Sequence, residues 1–291
     1  MEISRRSFLH TSAGLAVAGM ARPHVVRAQA TVTVADVIQR IKDKVGIPWR
    51  AQTVDNLVAG RADVRVRGIA TTMMATLDVV QRASAAGLNL VISHEPTFYT
   101  HQDTTDTLKA DATYQFKEAF IRDHDMAVFH FHDHWHGMKP DGIAFGMARE
   151  LGWDKNVDPA NPREFTFNGV PLEEFVSRMR DRLAPSTMRV VGDPKMAVNR
   201  VAASWGYYTY NPANLPLTRP DVDVFVVGET REWETVEHAQ DMNASGRKKA
   251  LVVIGHVASE QAGMKYCAEW LKGFVTEVPI AFVPASEPFW K

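Results

Sequence analysis

One cysteine, Cys267, stands in a chain of 291 residues, so no internal disulfide can form and no thiolate-rich metal site can be built. It sits in the helical pattern AGMKYCAEWLKGF, where a core thiol is the expected role. No apolar stretch reaches the roughly 20 residues that a membrane-crossing helix needs. Neither sign of charge dominates, with 33 basic against 34 acidic side chains. No basic stripe or aromatic-basic repeat appears, which argues against nucleic acid as a partner. No G-x-S-x-G, P-loop or dinucleotide fingerprint is present, so a serine hydrolase and the common nucleotide-binding motifs are disfavoured. There is no low-complexity tract or short repeat.

The first thirty residues read as a leader. Arg5 and Arg6 in SRRSFLH precede a modest stretch rich in alanine and glycine, and Ala28, Gln29 and Ala30 form a small-residue cleavage pattern. That pattern predicts twin-arginine export, with residues 1–30 removed and a periplasmic protein left behind. The remaining chain would carry 29 basic and 33 acidic residues, and its length suffices for one large domain or two small ones.

Strand-like and helical patterns alternate through residues 31–291, predicting an α/β fold with mixed or largely parallel sheets flanked by helices. Strands are expected at 64–71, 88–94, from Ala127 through the histidine run, at TMRVVG and VNRVAASWG, and at 223–229, 250–256 and 280–284. Helices are expected at 75–87, around 107–124 and 142–151, at 171–184, and at about 232–245 and 259–273. Pro-rich segments near 158–163 and 211–220 read as loops. The grammar repeats, suggesting two similar halves, about 31–155 and 165–291, facing a central cleft.

Eleven histidines occur, and four alternate in VFHFHDHWH as His130, His132, His134 and His136. Histidine at every second position of a strand places the imidazoles on one face, which suggests a metal site; an exposed polar edge strand is the alternative. Two further fragments favour the metal. ISHEP carries His94 and Glu95 at the end of a buried strand, with Pro96 forcing a turn that would let both reach one site. IGHVASE places His256 and Glu260 four apart across a strand-to-helix junction, with Ser259 as the expected cap. Imidazole and carboxylate converging this way suit a borderline divalent cation; alternatively, Glu260 favours the helix N-terminus while His256 satisfies a core hydrogen bond. Strand ends in an open α/β sheet face the ligand crevice, so these fragments could line one cleft. Tyr99, His101 and the pair Gly228 and Glu229 are candidates for its rim, or for ordinary surface.

The order DNLVAG, VISHEP, histidine-rich strand end, VVGE and GHVASEQAGMKYCAEWL resembles the Nif-three-like family of dinuclear metal-centre proteins, some of them known as type-two GTP cyclohydrolase I homologues. The resemblance runs over nearly all of the chain after the leader. It implies metal ligation by His94, by His256 and Glu260, and by two positions that depart from the family's pattern. The second histidine of a His-His pair is Glu95 here, and the aspartate of a His-x-x-x-Asp motif is His136, four after His132. It also implies a homo-oligomer, a hexameric ring in the family.

Five donors, His94, Glu95, His136, His256 and Glu260, could then hold one or two ions per subunit, and without a thiolate the set suits zinc, iron or manganese. His132 and His134 are left as candidates for proton transfer. The expected function is an exported hydrolase using metal-activated water on a small substrate. A non-catalytic metal-binding oligomer and a metal-dependent lyase or isomerase are the alternatives.

Overall fold

The computed structural model describes residues 31–290; the leader expected at 1–30 lies outside the described residues. The chain opens with α1 (Val34–Lys44), in which Val34, Val37 and Ile41 share a buried stripe and Thr33 with Asp36 closes a capping box. Next come β1 (Leu57–Ala59), β2 (Ile69–Met74), α2 (Leu77–Ala85), β3 (Leu90–Glu95), α3 (Ala112–Asp123), β4 (Ala127–His130), α4 (Asp133–Gly137) and α5 (Gly142–Leu151). The second half contributes β5 (Val157–Asp158), β6 (Asn161–Pro171), α6 (Leu172–Leu183), β7 (Arg189–Val191), β8 (Ala197–Tyr207) and β9 (Val224–Glu229). It closes with α7 (Glu237–Ala244), β10 (Ala250–Val253), α8 (His256–Lys272) and β11 (Ile280–Phe282).

Two mixed sheets result, ordered β1-β4-β3-β2-β11 and β5-β6-β8-β9-β10-β7. In the first, β4, β3, β2 and β11 run parallel and β1 closes the edge antiparallel. In the second, β8, β9 and β10 are parallel and the outer strands antiparallel. The parallel strands read as unbroken apolar runs because helices cover them, and β2, β3, β4 and β9 are buried almost end to end. The second half is not closed on itself, since β11 crosses back to pair with β2.

Helix α8 lies against β2 and β11 of one sheet and β8 and β9 of the other, with α5 alongside. Gly146 and Gly263 let α5 and α8 touch backbone to backbone; a Cβ on either would run into the other helix. The Thr71 hydroxyl on β2 donates to the Met264 carbonyl at 2.7 Å, pinning α8 to the first sheet.

Several boundaries differ from the sequence reading. The strand expected at 64–71 begins at Ile69, the helix expected from 107 begins at Ala112, and the loop expected at 158–163 is partly β6. The helix expected at 232–245 opens with a π-helical turn before α7. The largest correction concerns VFHFHDHWH, which is strand only to His130 and then turns into α4.

Candidate metal centre

The turn from β4 into α4 is made by a carboxylate from a distant loop. Asp55 Oδ1 accepts the amides of His132 and Asp133 at 2.7 and 2.8 Å, and Oδ2 accepts the His134 amide at 2.8 Å and its Nδ1–H at 2.6 Å. One buried carboxylate thus caps the helix in place of the missing local cap. Helical rather than strand geometry then sorts the histidines. His132 and His136, four apart, fall on one face, and His134 between them turns away.

His134 is therefore not a cleft residue. It stacks on Trp49 with ring centroids 3.7 Å apart, gives its Nδ1–H to Asp55 and accepts the Arg50 amide on Nε2 at 2.9 Å. With both ring nitrogens occupied and the side chain fully buried, it has nothing left to shuttle a proton with. His130 is also buried, its Nδ1 3.0 Å from Asp103.

The remaining histidines converge. His94 and Glu95 both reach the same space because β3 ends there, as Pro96 suggests. His256 and Glu260 also share one face, though by a different route from the one expected. Helix α8 already begins at His256, with Gly255 as its N-cap, so the two are neighbours four apart within a single helix. Ser259 is not the cap; its hydroxyl donates to the His256 carbonyl at 2.7 Å and accepts the Gly206 amide at 2.9 Å. Gly206, at φ +77°, brings β8 so close to Glu260 that a Cβ would collide with its carboxylate.

All four convergent imidazoles are held in the same way. The Nδ1–H of His94 points to the Phe131 carbonyl at 3.3 Å, that of His132 to Asp133 at 3.1 Å, that of His136 to Asp141 at 3.1 Å and that of His256 to Glu229 at 3.1 Å. Each ring thereby presents Nε2 to the centre, the arrangement that orients a metal-binding histidine. Distances from Nε2 to carboxylate oxygen are 3.7 Å for His94 and 4.0 Å for His136, both to Glu260, and 3.9 Å for His132 to Glu95. His256 Nε2 lies 3.1 Å from Glu260 and 3.4 Å from Glu95. Two donors about 2.1 Å from one cation at a tetrahedral angle sit about 3.4 Å apart, so the spacing fits ligands around shared ions. The fully buried Nε2 of His94 makes no hydrogen bond, an unsatisfied group that a cation would satisfy. Three groups with donor atoms within 4.8 Å of one another could hold a metal ion: His94 with His132 and His136, His94 with Glu95 and Glu260, and His101 with His132 and Asp133.

The electrostatics favour positive charge. Burial opposes a charged His256, but Glu229, Glu260 and Glu95 outweigh it and push its pKa up to about 12. Burial likewise opposes ionisation of Glu260, yet His94 and His256 hold it well below the usual carboxylate range. His132 goes the other way, to about 4, through burial and the neighbouring His94 and His136. A field that favours protonated imidazole at one ring and neutral imidazole at another suits a centre where cation and proton compete.

His132 thus stands among the candidate ligands, grouped with His94 and His136. The expected five, His94, Glu95, His136, His256 and Glu260, are brought together, and Glu229, a candidate for the rim, holds His256 Nδ1–H at 3.1 Å. Asp55, Asp141 and Arg163 were missed as site residues. Asp141 was legible only as a helix cap, accepting the Ile143 and Ala144 amides at the start of α5. Arg163 carries no sequence signal at all. Cys267 is buried, and burial raises its thiol pKa, which leaves it a core side chain.

Fold and site define a two-sheet α/β protein whose strand ends and central helix gather a histidine–carboxylate cluster able to hold divalent metal. The chain belongs to the Duf34/NIF3 (NGG1p interacting factor 3) family, whose model matches residues 26–288. It is similar to a GTP cyclohydrolase 1 type 2 homolog of Chlamydia trachomatis, 22% identical over 243 residues, 81% of this chain and 90% of that protein. A Staphylococcus aureus protein of the same description is 28% identical over 153 residues, half of this chain and 40% of its own length. The fold matches the crystal structure of Staphylococcus aureus protein SA1388 with a TM-score of 0.70 at 19% identity, covering 89% of this chain and 99% of that one.

Proposed function

We propose that the protein is an exported, metal-dependent hydrolase of a small substrate, with one or two zinc, iron or manganese ions held by His94, Glu95, His132, His136, His256 and Glu260. The observation that carries this reading is the common presentation of four imidazoles, each with Nδ1–H engaged and Nε2 turned to two carboxylates. Held by these residues, a divalent cation would supply Lewis acidity for the hydrolysis.

The protein's own groups do the rest. Asp141, Glu229, Asp133 and the Phe131 carbonyl fix ring orientation, so little reorganisation is needed when charge develops. His101 lines the same cleft, its ring 5.0 Å from that of His132, and is exposed where His134 is not. It takes over the proton-transfer role that the sequence offered to His134.

Metal analysis of protein purified without added metal tests the centre. At least about one equivalent of transition metal is expected, falling by most of its value in His256→Ala and Glu260→Ala. Less than about half an equivalent, unchanged by either substitution, removes the metal reading. Full metal content with no turnover across an ester, phosphoester and amide panel would instead favour the non-catalytic metal-binding protein.

A further inference from the structure

The cleft in front of the metal centre encloses about 900 Å³, within the range of small-molecule sites. Its donor end is dominated by carboxylates and imidazoles. Among the described residues that line it, Arg163 is the single arginine or lysine. This cation enters from β6, a strand of the second sheet, and has no part in the donor set.

One bond fixes its position. Arg163 Nη2 donates to Asp141 Oδ2 at 2.8 Å, and the same nitrogen lies 3.4 Å from His136 Nδ1. Asp141 in turn orients His136, so the guanidinium is locked one residue away from a donor imidazole. Nε and Nη1 make no bond to any described residue, and the side chain keeps 41% of its exposure. A guanidinium carries five N–H donors in a rigid fork. Asp141 accepts at one corner of it, leaving the other donors for a ligand. Tyr99 and Tyr207, 60% and 43% exposed, and the Trp205 ring also line the space.

We propose that Arg163 is the substrate-anchoring residue of the cleft, and that the substrate is a small molecule carrying an oxyanion, carboxylate or phosphate, beside its reacting centre. This rests on the proposed metal-dependent function for the reacting centre, whereas the anchoring itself does not require turnover. The cleft is polar in sense, with an end rich in carboxylates and imidazoles and a guanidinium beside it. A substrate with an anionic group next to a polarisable carbonyl or phosphorus would be oriented by both at once. A guanidinium suits either oxyanion through paired N–H bonds, and Lys in its place would keep the charge but lose the fork.

The test is calorimetric titration of benzoate, phenylphosphonate and neutral benzamide into the purified protein, with metal content measured on each sample. Wild type is expected to bind at least one of the two anions and to bind benzamide more weakly. Arg163→Met should weaken that anion about 10- to 100-fold at unchanged metal content. The source is identified by which anion depends on Arg163: binding of phenylphosphonate that falls in Arg163→Met marks a phosphate, and binding of benzoate that falls marks a carboxylate. Anion binding unchanged in Arg163→Met, or no anion binding in wild type, overturns the proposal. Loss of metal from wild type would instead strike the metal reading, which the separate metal assay distinguishes.

Discussion

Lys117 is held where its charge is penalised. Its side chain is buried, with Nζ donating to the Thr97 carbonyl at 2.6 Å, and burial lowers its pKa to about 8 against only partial support from Asp103. Between pH 8 and the ordinary value of 10.5, the unfolded chain binds more protons than the folded one, so this residue's contribution to stability rises with pH across that window. The stability difference between wild type and Lys117→Met should therefore grow in favour of wild type, by at most about 3 kcal/mol, as pH is raised through it. Urea unfolding at several pH values checks this, and a difference independent of pH refutes it. Individual residue roles were unevenly legible. His94, Glu95, His256 and Glu260 announced themselves because histidine and carboxylate at strand ends have few other reasons to be there. Asp141 and Arg163 did not, because a capping aspartate and a lone arginine are ordinary residues until they are seen against His136.

The histidine run shows how an element, rather than a residue, can mislead. Alternation in VFHFHDHWH has the period of a strand, and β4 honours it as far as His130. Beyond that point Asp55 replaces the strand ladder with a helix cap, and the period becomes helical. Asp55→Ala should cost about 2–4 kcal/mol, from the lost cap and the buried Nδ1–H of His134 left unpaired. Because α4 carries both His132 and His136, metal affinity should fall about 10- to 100-fold as well, as for other residues that orient ligands. Denaturant unfolding and a competitive chelator titration measure the two effects. A stability loss with untouched metal affinity would separate α4 from the centre. Helix α8 carried its message more openly, since a histidine and a carboxylate four apart at a strand-to-helix junction pointed to convergence, and the start of α8 at His256 puts both on one helix face.

At the scale of the whole molecule, the two sheets are coupled by α8 and by the return of β11 to β2, so the donor cluster exists only once both halves have folded. An exported protein of this kind would gain from acquiring a metal before leaving the cytoplasm, which is the rationale of the twin-arginine leader proposed from Arg5 and Arg6. Replacing both with lysine should leave the protein in the cytoplasmic fraction with its leader attached. Periplasmic recovery of the double variant at the wild-type level would show that another export route is used.

The α/β class, the buried parallel strands, the lack of disulfide chemistry and the two strongest donor pairs were all readable from order and periodicity, because these depend on local pattern. The place of His132 beside the candidate ligands, the exclusion of His134, the carboxylate that reshapes α4 and the cation beside His136 were not. Each depends on a contact between residues tens of positions apart, Asp55 with His132 and His134, Arg163 with Asp141. Such contacts have no periodic signature, because packing rather than chain order brings their partners together.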